Sequence, residues 1–534
     1  MSIVHLKHFD HTNKYNGTYT FEEILSPDTW LRPLLITFLS TLSYSVGQTI
    51  EHTPHDDDND YAYALADSCI TYNSKNRLIS INCKSVTISD VDKRLNNSSV
   101  ITRESKPSDD TDDKTWILKA GVIINKNASL IIDSNDTKWL KVVPVATKQL
   151  VKSGYNGPGI TSKINITSNS GDTIIENSEN IKNDDDAFIV SKNNGDNPNG
   201  IHVFGSLIID SVKITSWDPE ENDVIKFHRG KRQGEEHTKS KYDTAEPRPF
   251  IRVSAEATGT TKITNSEIAY MGYSCSRCSG LSYYGGVGSV IKGNDIHHLL
   301  KGYYSNGMGK MLIEDNRFHD NYLYGIDPHT GSHDIIIRDN IVHDNNASGI
   351  ICSKDCYGLL IEGNHVFDNG GVGRGIAFSI NTTHSVARNN QVHDQNRCIA
   401  FNRESNYNEV YDNKVSHCRT GISLANTSEN QIHDNNIAHS ENGIILKVLN
   451  NSIYDNTIHD TENAIVFINT SNNESESLDN FGNITFNPRQ PDHSDFFDKV
   501  SRENKIVDVE KKIDIENESI ESGTIGSHNI LNIQ

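Results

Sequence analysis

The chain has 534 residues, a formal net charge of −21 at pH 7 and only 35% hydrophobic residues. This length allows several domains or one long repeat domain, and the acidic balance argues against general nucleic-acid binding, which requires a basic surface. If the partner is itself a polyanion, local clusters of Lys and Arg must attract it against the field of the whole chain. Abundant Asn, Asp, Gly, Ser and Thr favour short strands with polar turns.

The only long apolar run is residues 31–46, LRPLLITFLSTLSYSV. It is short for a membrane span and fits a signal peptide or an uncleaved anchor, with a buried segment of a folded domain as the alternative. Together with recurring N-x-S/T sequons, it predicts a secreted, cell-surface or periplasm-like location. We interpret residues 1–60 as an N-terminal segment that ends in the acidic linker 51–60.

Residues 61–475 are predicted to form one repeat domain that begins irregularly. Residues 115–300 alternate apolar and polar side chains, and we interpret them as irregular early coils. Within them, the charged segment 218–247 is predicted to be an inserted loop. The periodicity fades near residue 475, so residues 476–534 are predicted to be a C-terminal tail or cap.

The strongest signal is self-similarity after residue 293. Phrases such as DNRFHDN and DNIVHDN recur, and their first Asn returns every 21 to 26 residues. These asparagines are Asn294, Asn316, Asn340, Asn364, Asn390, Asn413, Asn435 and Asn456. Each unit carries short apolar alternations between polar turns and lacks the phrase of leucine-rich repeats. The pattern predicts an all-β, right-handed parallel β-helix with a stacked Asn ladder.

Two residue types in the repeats raise the question of a metal site. Histidines recur in one register, at His319, His343, His393, His433 and His459. A residue that returns in every coil is better explained as a stacked turn or surface position than as a catalytic ligand. The eight cysteines include pairs at 275–278 and 352–356, but none at zinc-finger spacing. Buried thiols or a few disulfides, such as Cys69–Cys83, are therefore favoured.

One stretch, YGIDPH at Tyr324–His329, breaks the repeat with a phenol, a carboxylate and an imidazole. Strand alternation places Asp327 and His329 on one face. We expect a bend or bulge at Pro328, which would bring Tyr324 towards them.

Adjacent coils carry further polar residues beside YGIDPH. They are Lys301, Tyr303 and Tyr304 one coil earlier, Ser353, Lys354 and Asp355 one coil later, and Arg374 two coils later. Parallel strands lie ~4.8 Å apart, so these side chains would line one groove along the helix axis. A linear polymer fits such a groove. The alternative is that they are solvated turn residues.

The chemistry that such a set supports is proton transfer next to a carboxylate. The C5 proton of a sugar acid is weakly acidic, and its removal requires a cation to neutralise the carboxylate as the enediolate forms. It also requires a base, for which His is suited near neutral pH. Return of a proton to the opposite face gives epimerisation, whereas loss of the 4-O substituent gives β-elimination. The residue types alone do not separate these outcomes.

YGIDPH, followed about 25 residues later by GIICSKD, resembles the mannuronan C5-epimerases, as does the segment 248–283. The resemblance covers roughly residues 115–470. It implies that His329 is the base that removes the C5 proton, that Asp327 organises or neutralises the site, and that Tyr324 is the acid or the partner of the base.

The same resemblance places Lys354 where periplasmic members carry an arginine that engages the substrate carboxylate. Lysine offers a point charge where arginine offers a bidentate fork, and Arg374 could compensate. The family's substrates imply a linear polyuronate partner and an isomerase that converts mannuronate to guluronate. We expect a monomer. Because the GGxGxD repeats of calcium-dependent members are absent, no cofactor is predicted, and calcium is possible but not required.

Three alternatives stay open. The first is a uronan lyase that uses the same residues. The second is a glycoside hydrolase, for which Asp327 and Asp355 are the only obvious carboxylates. The third is a non-catalytic surface β-helix.

Overall fold

The fold is described by a computed structural model. It describes residues 69–104, 114–145, 199–227, 244–275, 277–370, 373–447, 450–468, 501–502 and 504–516. The predictions for residues 1–60, including the apolar run 31–46, lie outside the described residues. Within the described ranges, no helix has the length and apolarity needed to cross a bilayer.

The chain forms a right-handed parallel β-helix whose coils contribute strands to three faces. Face 1 contains Val86–Thr87, Ser129–Asp133, Ser206–Asp210, Thr261–Thr264, Val290–Lys292, Leu312–Glu314, Ile336–Arg338, Leu360–Glu362, Val386–Arg388, Glu409–Tyr411, Gln431–His433, Ser452–Tyr454 and Ser501–Arg502. Face 2 contains Thr115–Leu118, Trp139–Val142, Lys213–Ser216, Glu267–Ala269, Asp295–His297, Arg317–His319, Ile341–His343, His365–Phe367 and Asn436–Ala438. Face 3 contains Leu78–Ile81, Gly121–Ile124, Gly200–Val203, Phe250–Val253, Gly280–Tyr283, Lys301–Asn306, Ile326–His329, Ile350–Cys352, Arg374–Phe378 and Asn442–Leu446.

Four long strands run from face 2 into face 3, and they are Gln391–Asn402, Lys414–Ala425, Thr457–Ile468 and Lys505–Glu516. The last of them pairs with Thr457–Ile468 and adds a coil beyond residue 475. Part of the predicted C-terminal tail or cap therefore continues the β-helix.

The N-terminal coil is closed by local elements. The strand Ile70–Asn73 pairs antiparallel with Leu78–Ile81, and the Cys69–Cys83 disulfide joins the ends of this hairpin. The helix Ile88–Leu95 begins at Thr87, whose hydroxyl accepts a hydrogen bond from the backbone N–H of Asp90 while the Asp90 carboxylate accepts one from the backbone N–H of Thr87. A second antiparallel strand, Ile101–Arg103, pairs with Thr115–Leu118.

The core consists of inward side chains that stack in columns. On face 3, one column is at most 1% exposed, and it contains Ile201, Ile251, Leu281, Tyr303, Ile326, Ile350, Ile376, Ile399, Ile422, Ile444 and Ile465. Branched side chains pack well on a pleated surface. Because each column fixes the register of its neighbours, the outward side chains of face 3 are held at defined positions.

The predicted Asn ladder is present. From Asn294 to Asn456, each side-chain amide donates to the Oδ1 atom of the next Asn along the axis, and the series ends on Asn504. Asn340 shows the pattern, since its amide also donates to the carbonyl groups of Ile313 and Arg338. The ladder satisfies buried turn groups that would otherwise lack partners.

We expect Asn340→Ala to lower the free energy of unfolding by about 3 kcal/mol, because each buried group left unpaired costs roughly 1–3 kcal/mol. The adjacent Asp339→Asn is the matched control. Asp339 has a φ of 55°, which Asn tolerates, so its effect should stay within about 0.5 kcal/mol. Urea unfolding measures both variants. Equal stability of Asn340→Ala and wild type would contradict a stabilising ladder.

Candidate active site

Within the YGIDPH segment, Ile326–His329 forms a strand on face 3, and Tyr324 and Gly325 directly precede it. Its pairing with the preceding strand is regular from Tyr303–Ile326 to Asn306–His329. The bend or bulge expected at Pro328 is therefore absent from the pairing with the preceding strand.

The irregularity lies one coil earlier, between Gly280–Tyr283 and Lys301–Asn306. Pro328 affects the backbone pairing with the following coil instead. Proline has no N–H to donate, and the described ladder to Ile350–Cys352 contains the single pair Ile326–Ile350.

The centre of the site is the carboxylate of Asp327, which is fully buried. Lys301 Nζ lies 2.9 Å from its Oδ2 atom, and Ser353 Oγ donates a hydrogen bond of 2.6 Å to its Oδ1 atom. A buried carboxylate requires such partners, because desolvation of an unpaired charge is costly. Three successive coils thus meet at one carboxylate.

Two phenol rings surround the lysine of this ion pair. Lys301 Nζ lies 4.4 Å from the ring centroid of Tyr304 and 5.4 Å from that of Tyr324. Burial opposes the charged form of the lysine, but the Asp327 carboxylate and both phenols favour it more strongly, so the pKa of Lys301 is raised above its usual value. The ammonium group therefore persists next to the groove.

His329 lies on the same strand as Asp327 and is half-buried. The Thr330 hydroxyl hydrogen bonds to its Nδ1 atom, and the Tyr304 ring centroid lies 5.6 Å from the imidazole centroid. In the tautomer in which Nδ1 donates its proton to the Thr330 hydroxyl, Nε2 carries the lone pair and is the basic nitrogen.

We expect Lys301→Met to lower the free energy of unfolding by about 3–5 kcal/mol, because it leaves the buried Asp327 carboxylate without its cation. The double variant Lys301→Met/Asp327→Leu should recover much of this loss. Folding raises the pKa of Lys301, so the stabilisation is complete below the pKa of unfolded lysine and is lost as pH rises through the folded value. Urea unfolding at several pH values measures these stabilities. Additive effects of the Lys301 and Asp327 substitutions would contradict a stabilising ion pair.

We call the row of outward positions on face 3 the groove, and from this centre it continues in the N-terminal direction. Arg252, Ser282, Tyr304 and Asp327 occupy matched positions on successive strands. The Tyr284 ring lies 6.0 Å from that of Tyr304.

Two arginines surround Tyr284. Arg277 Cζ lies 5.1 Å from the Tyr284 ring centroid. Burial, together with the nearby charge of Arg277, lowers the pKa of Arg252. This end of the groove is therefore cationic and aromatic.

In the C-terminal direction, Arg374 is in register with Arg397 on the next coil. Beyond them the same position is occupied by Thr420 and then Asn442. The cationic part of face 3 thus extends over a limited number of coils in a chain whose net charge is −21.

The structure brings together most of the predicted site residues. Lys301, Tyr304, Tyr324, Asp327, His329 and Ser353 form the contacts described above. Lys354 is exposed and its carbonyl accepts a hydrogen bond from the Gly331 N–H. Asp355 lies at a turn, where its carboxylate accepts a hydrogen bond from the Asn381 amide.

The substrate-binding prediction for Tyr303 requires correction. Its side chain is 0% exposed and its hydroxyl points at the sulfur of Met311, 3.2 Å away. Adjacent strand residues face opposite sides, so Tyr303 and Tyr304 cannot both line the groove.

Sequence reasoning missed five residues of the groove, namely Arg252, Arg277, Tyr284, Thr330 and Arg397. A signal existed for Arg397, which follows Arg374 by one repeat. Thr330 directly follows DPH. The others come from the coils that precede the regular repeat, where the sequence gives no register.

Four of the recurrent histidines, His319, His343, His393 and His459, lie on face 2. The fifth, His433, lies on face 1 between Tyr411 and Tyr454, so the predicted common register does not include it. The rings of His319 and His343 are parallel within 4° at 5.2 Å. Ligand atoms of Asp295, His297 and His319 lie within 4.8 Å of one another, but both His319 nitrogens already contact carboxylates, those of Asp295 and Asp320. This arrangement supports the structural interpretation, while the absence of a required metal stays a prediction.

Comparisons with known proteins identify one family model and several relatives. The family model of the periplasmic copper-binding protein (NosD) matches residues 253–443 and 371–481. Mannuronan C5-epimerases of Pseudomonas putida and Pseudomonas fluorescens are 27% identical over 141 residues and 28% identical over 142 residues. Each match covers 24% of this chain and 24% of the relative, so the chain matches about a quarter of the length of these enzymes.

The crystal structure of the periplasmic alginate epimerase AlgG has a TM-score of 0.52 to this chain, at 18% identity. The superposition covers 82% of this chain and 85% of that chain. Its T265N mutant gives the same TM-score at 17% identity. The chain is therefore similar in sequence to mannuronan C5-epimerases and has the parallel β-helix fold of the periplasmic alginate epimerase.

Proposed function

We propose that the protein is a C5-epimerase that converts mannuronate to guluronate residues in polymannuronate or a related linear polyuronate. The observation that carries this proposal is the Asp327–Lys301–Ser353 centre, which lies beside His329 and two tyrosines in a cationic groove. The sequence similarity to mannuronan C5-epimerases supports the same reaction.

In the proposed mechanism, His329 Nε2 removes the C5 proton of the bound uronate. The electron pair moves into the carboxylate and forms an enediolate, whose charge Lys354 and Arg374 stabilise. Tyr324, which precedes Asp327 in the sequence whereas His329 follows it, donates a proton to the opposite face of C5. The proton on His329 then returns to Tyr324 through solvent, and the net reaction inverts C5.

The second candidate is a uronan lyase, because β-elimination begins with the same proton abstraction. Proton NMR of polymannuronate incubated with the protein tests both functions. Epimerisation predicts guluronate signals at constant chain length. Elimination predicts shorter chains whose unsaturated ends absorb in the near-ultraviolet. If neither change occurs with polymannuronate or related uronans, the non-catalytic β-helix becomes the better interpretation.

We also propose an extracytoplasmic location. The NosD family and the alginate epimerase are both periplasmic by name. The eight cysteines form four disulfides, Cys69–Cys83, Cys275–Cys278, Cys352–Cys356 and Cys398–Cys418, which persist in oxidising compartments. The monomeric state stays a prediction.

A further inference from the structure

We infer that the Cys352–Cys356 disulfide is a positioning element of the active site: it holds the loop between these cysteines on the DPH strand, so that full turnover requires the oxidised form. This inference rests on the proposed function. It assigns a role to residues that do not themselves contact the reacting sugar.

The loop between the two cysteines connects directly to the catalytic strand. Ser353 N donates to the Pro328 carbonyl over 3.0 Å, and Gly331 N donates to the Lys354 carbonyl over 3.2 Å. The Ser353 hydroxyl also donates a hydrogen bond to the Asp327 carboxylate. The loop therefore carries one partner of the buried carboxylate and one cation that is proposed to contact the substrate.

The pairing between the two strands is interrupted next to this loop, so the disulfide adds a covalent restraint where a ladder hydrogen bond is missing. Pro328 removes a backbone donor, and a single residue pair, Ile326–Ile350, joins the two strands in the described ladder. Both cysteines are buried, with 1% and 0% exposure, and Cys356 Sγ lies 3.5 Å from the Pro328 carbonyl oxygen. The disulfide closes the loop next to the position where Pro328 interrupts the ladder.

The other disulfides of the groove region repeat this association with cations. Cys275 and Cys278 enclose Arg277, and the Cys398–Cys418 disulfide begins next to Arg397. The fourth disulfide, Cys69–Cys83, closes the N-terminal hairpin, many coils from YGIDPH. It offers a matched control for the general effect of losing a disulfide.

Reduction of Cys352–Cys356 requires a dithiol. Its thiolate attacks one sulfur, a mixed disulfide forms, and the second thiol then displaces it. The protein gains two thiols, two electrons and two protons, and the dithiol becomes a disulfide. Without the covalent link, Ser353 and Lys354 would be held by the two backbone hydrogen bonds and by the hydrogen bond from Ser353 Oγ to Asp327.

The test compares Cys352→Ser/Cys356→Ser with Cys69→Ser/Cys83→Ser in the full chain. We measure kcat and KM on polymannuronate, the thermal midpoint, and amide hydrogen exchange of a peptide covering residues 349–358. A misplaced positioning group commonly costs up to about a hundredfold in rate. We expect kcat of the 352/356 variant to fall about ten- to a hundredfold with a smaller change in KM, and its 349–358 peptide to exchange faster while core strands stay protected.

The control variant should keep wild-type kcat and wild-type exchange in this peptide, whatever its thermal midpoint. Wild-type kcat together with unchanged exchange in the 352/356 variant would overturn the inference. A loss of protection throughout the β-helix would also overturn it, since the disulfide would then be a general staple. If the wild-type protein has no epimerase activity, the proposed function fails, and the exchange measurement alone still decides whether the disulfide holds the loop.

Discussion

His329→Gln should abolish deprotonation at C5 and leave polymer binding nearly intact. General-base catalysis contributes roughly 10²–10⁴-fold, so kcat should fall about a thousandfold, while KM or the dissociation constant should change little. Gln keeps a hydrogen-bonding side chain of similar reach but cannot accept and return a proton at neutral pH. Epimerisation rates by proton NMR and binding by calorimetry separate the two effects.

The matched control is His393→Gln, which alters a histidine of face 2 that contacts His365 and Asp394. Its kcat should remain within about twofold of the wild-type value, since surface changes away from the site have small effects. Equal losses in both variants would mean that histidine substitution damages the fold. Full activity of His329→Gln would remove this residue from the mechanism.

Tyr324→Phe should lower kcat by about a hundredfold or more, because it deletes the proton proposed to reach the second face of C5. The ring stays, and with it the contact to Lys301, so stability and substrate affinity should change little. Tyr304→Phe is the informative comparison. Its ring lies 5.6 Å from His329, and we expect its loss of kcat to be at least tenfold smaller.

The two tyrosine variants also decide which phenol is the acid. A larger loss in Tyr304→Phe than in Tyr324→Phe would transfer the acid role to Tyr304 and contradict our assignment. The expected pattern also includes a difference in pH dependence, since removal of the acid should alter the alkaline limb of the kcat profile.

The regular part of the fold could be predicted because asparagine recurs at nearly constant spacing, which is typical of the coils of a parallel β-helix. The spacing of the recurring asparagines from Asn294 to Asn456 gives the coil length, and the amide ladder confirms it. The additional coil at Lys505–Glu516 could not be predicted, because a long intervening segment separates Asn504 from the preceding rung at Asn456.

The candidate site could be predicted only where the repeat supplies a register. Lys301, Asp327 and Ser353 meet as expected, since each lies about one coil from the next. Tyr303 was assigned incorrectly because the register shift between Gly280 and Ser282 conceals which of two adjacent tyrosines faces outward. Arg277 approaches the groove from a connecting loop, whose path depends on tertiary packing and not on periodicity.

The measurement that tests the central claim most directly is deuterium incorporation from heavy water into polymannuronate, followed by proton NMR and mass spectrometry of the released sugars. If His329 deprotonates C5 and a solvent-exchanged acid reprotonates it, the guluronate residues formed will carry deuterium at C5 and the chain length will be preserved. Deuterium should be absent when His329→Gln replaces the wild-type protein. Guluronate formed without C5 deuterium, or C5 unchanged in every uronan tested, would contradict the account.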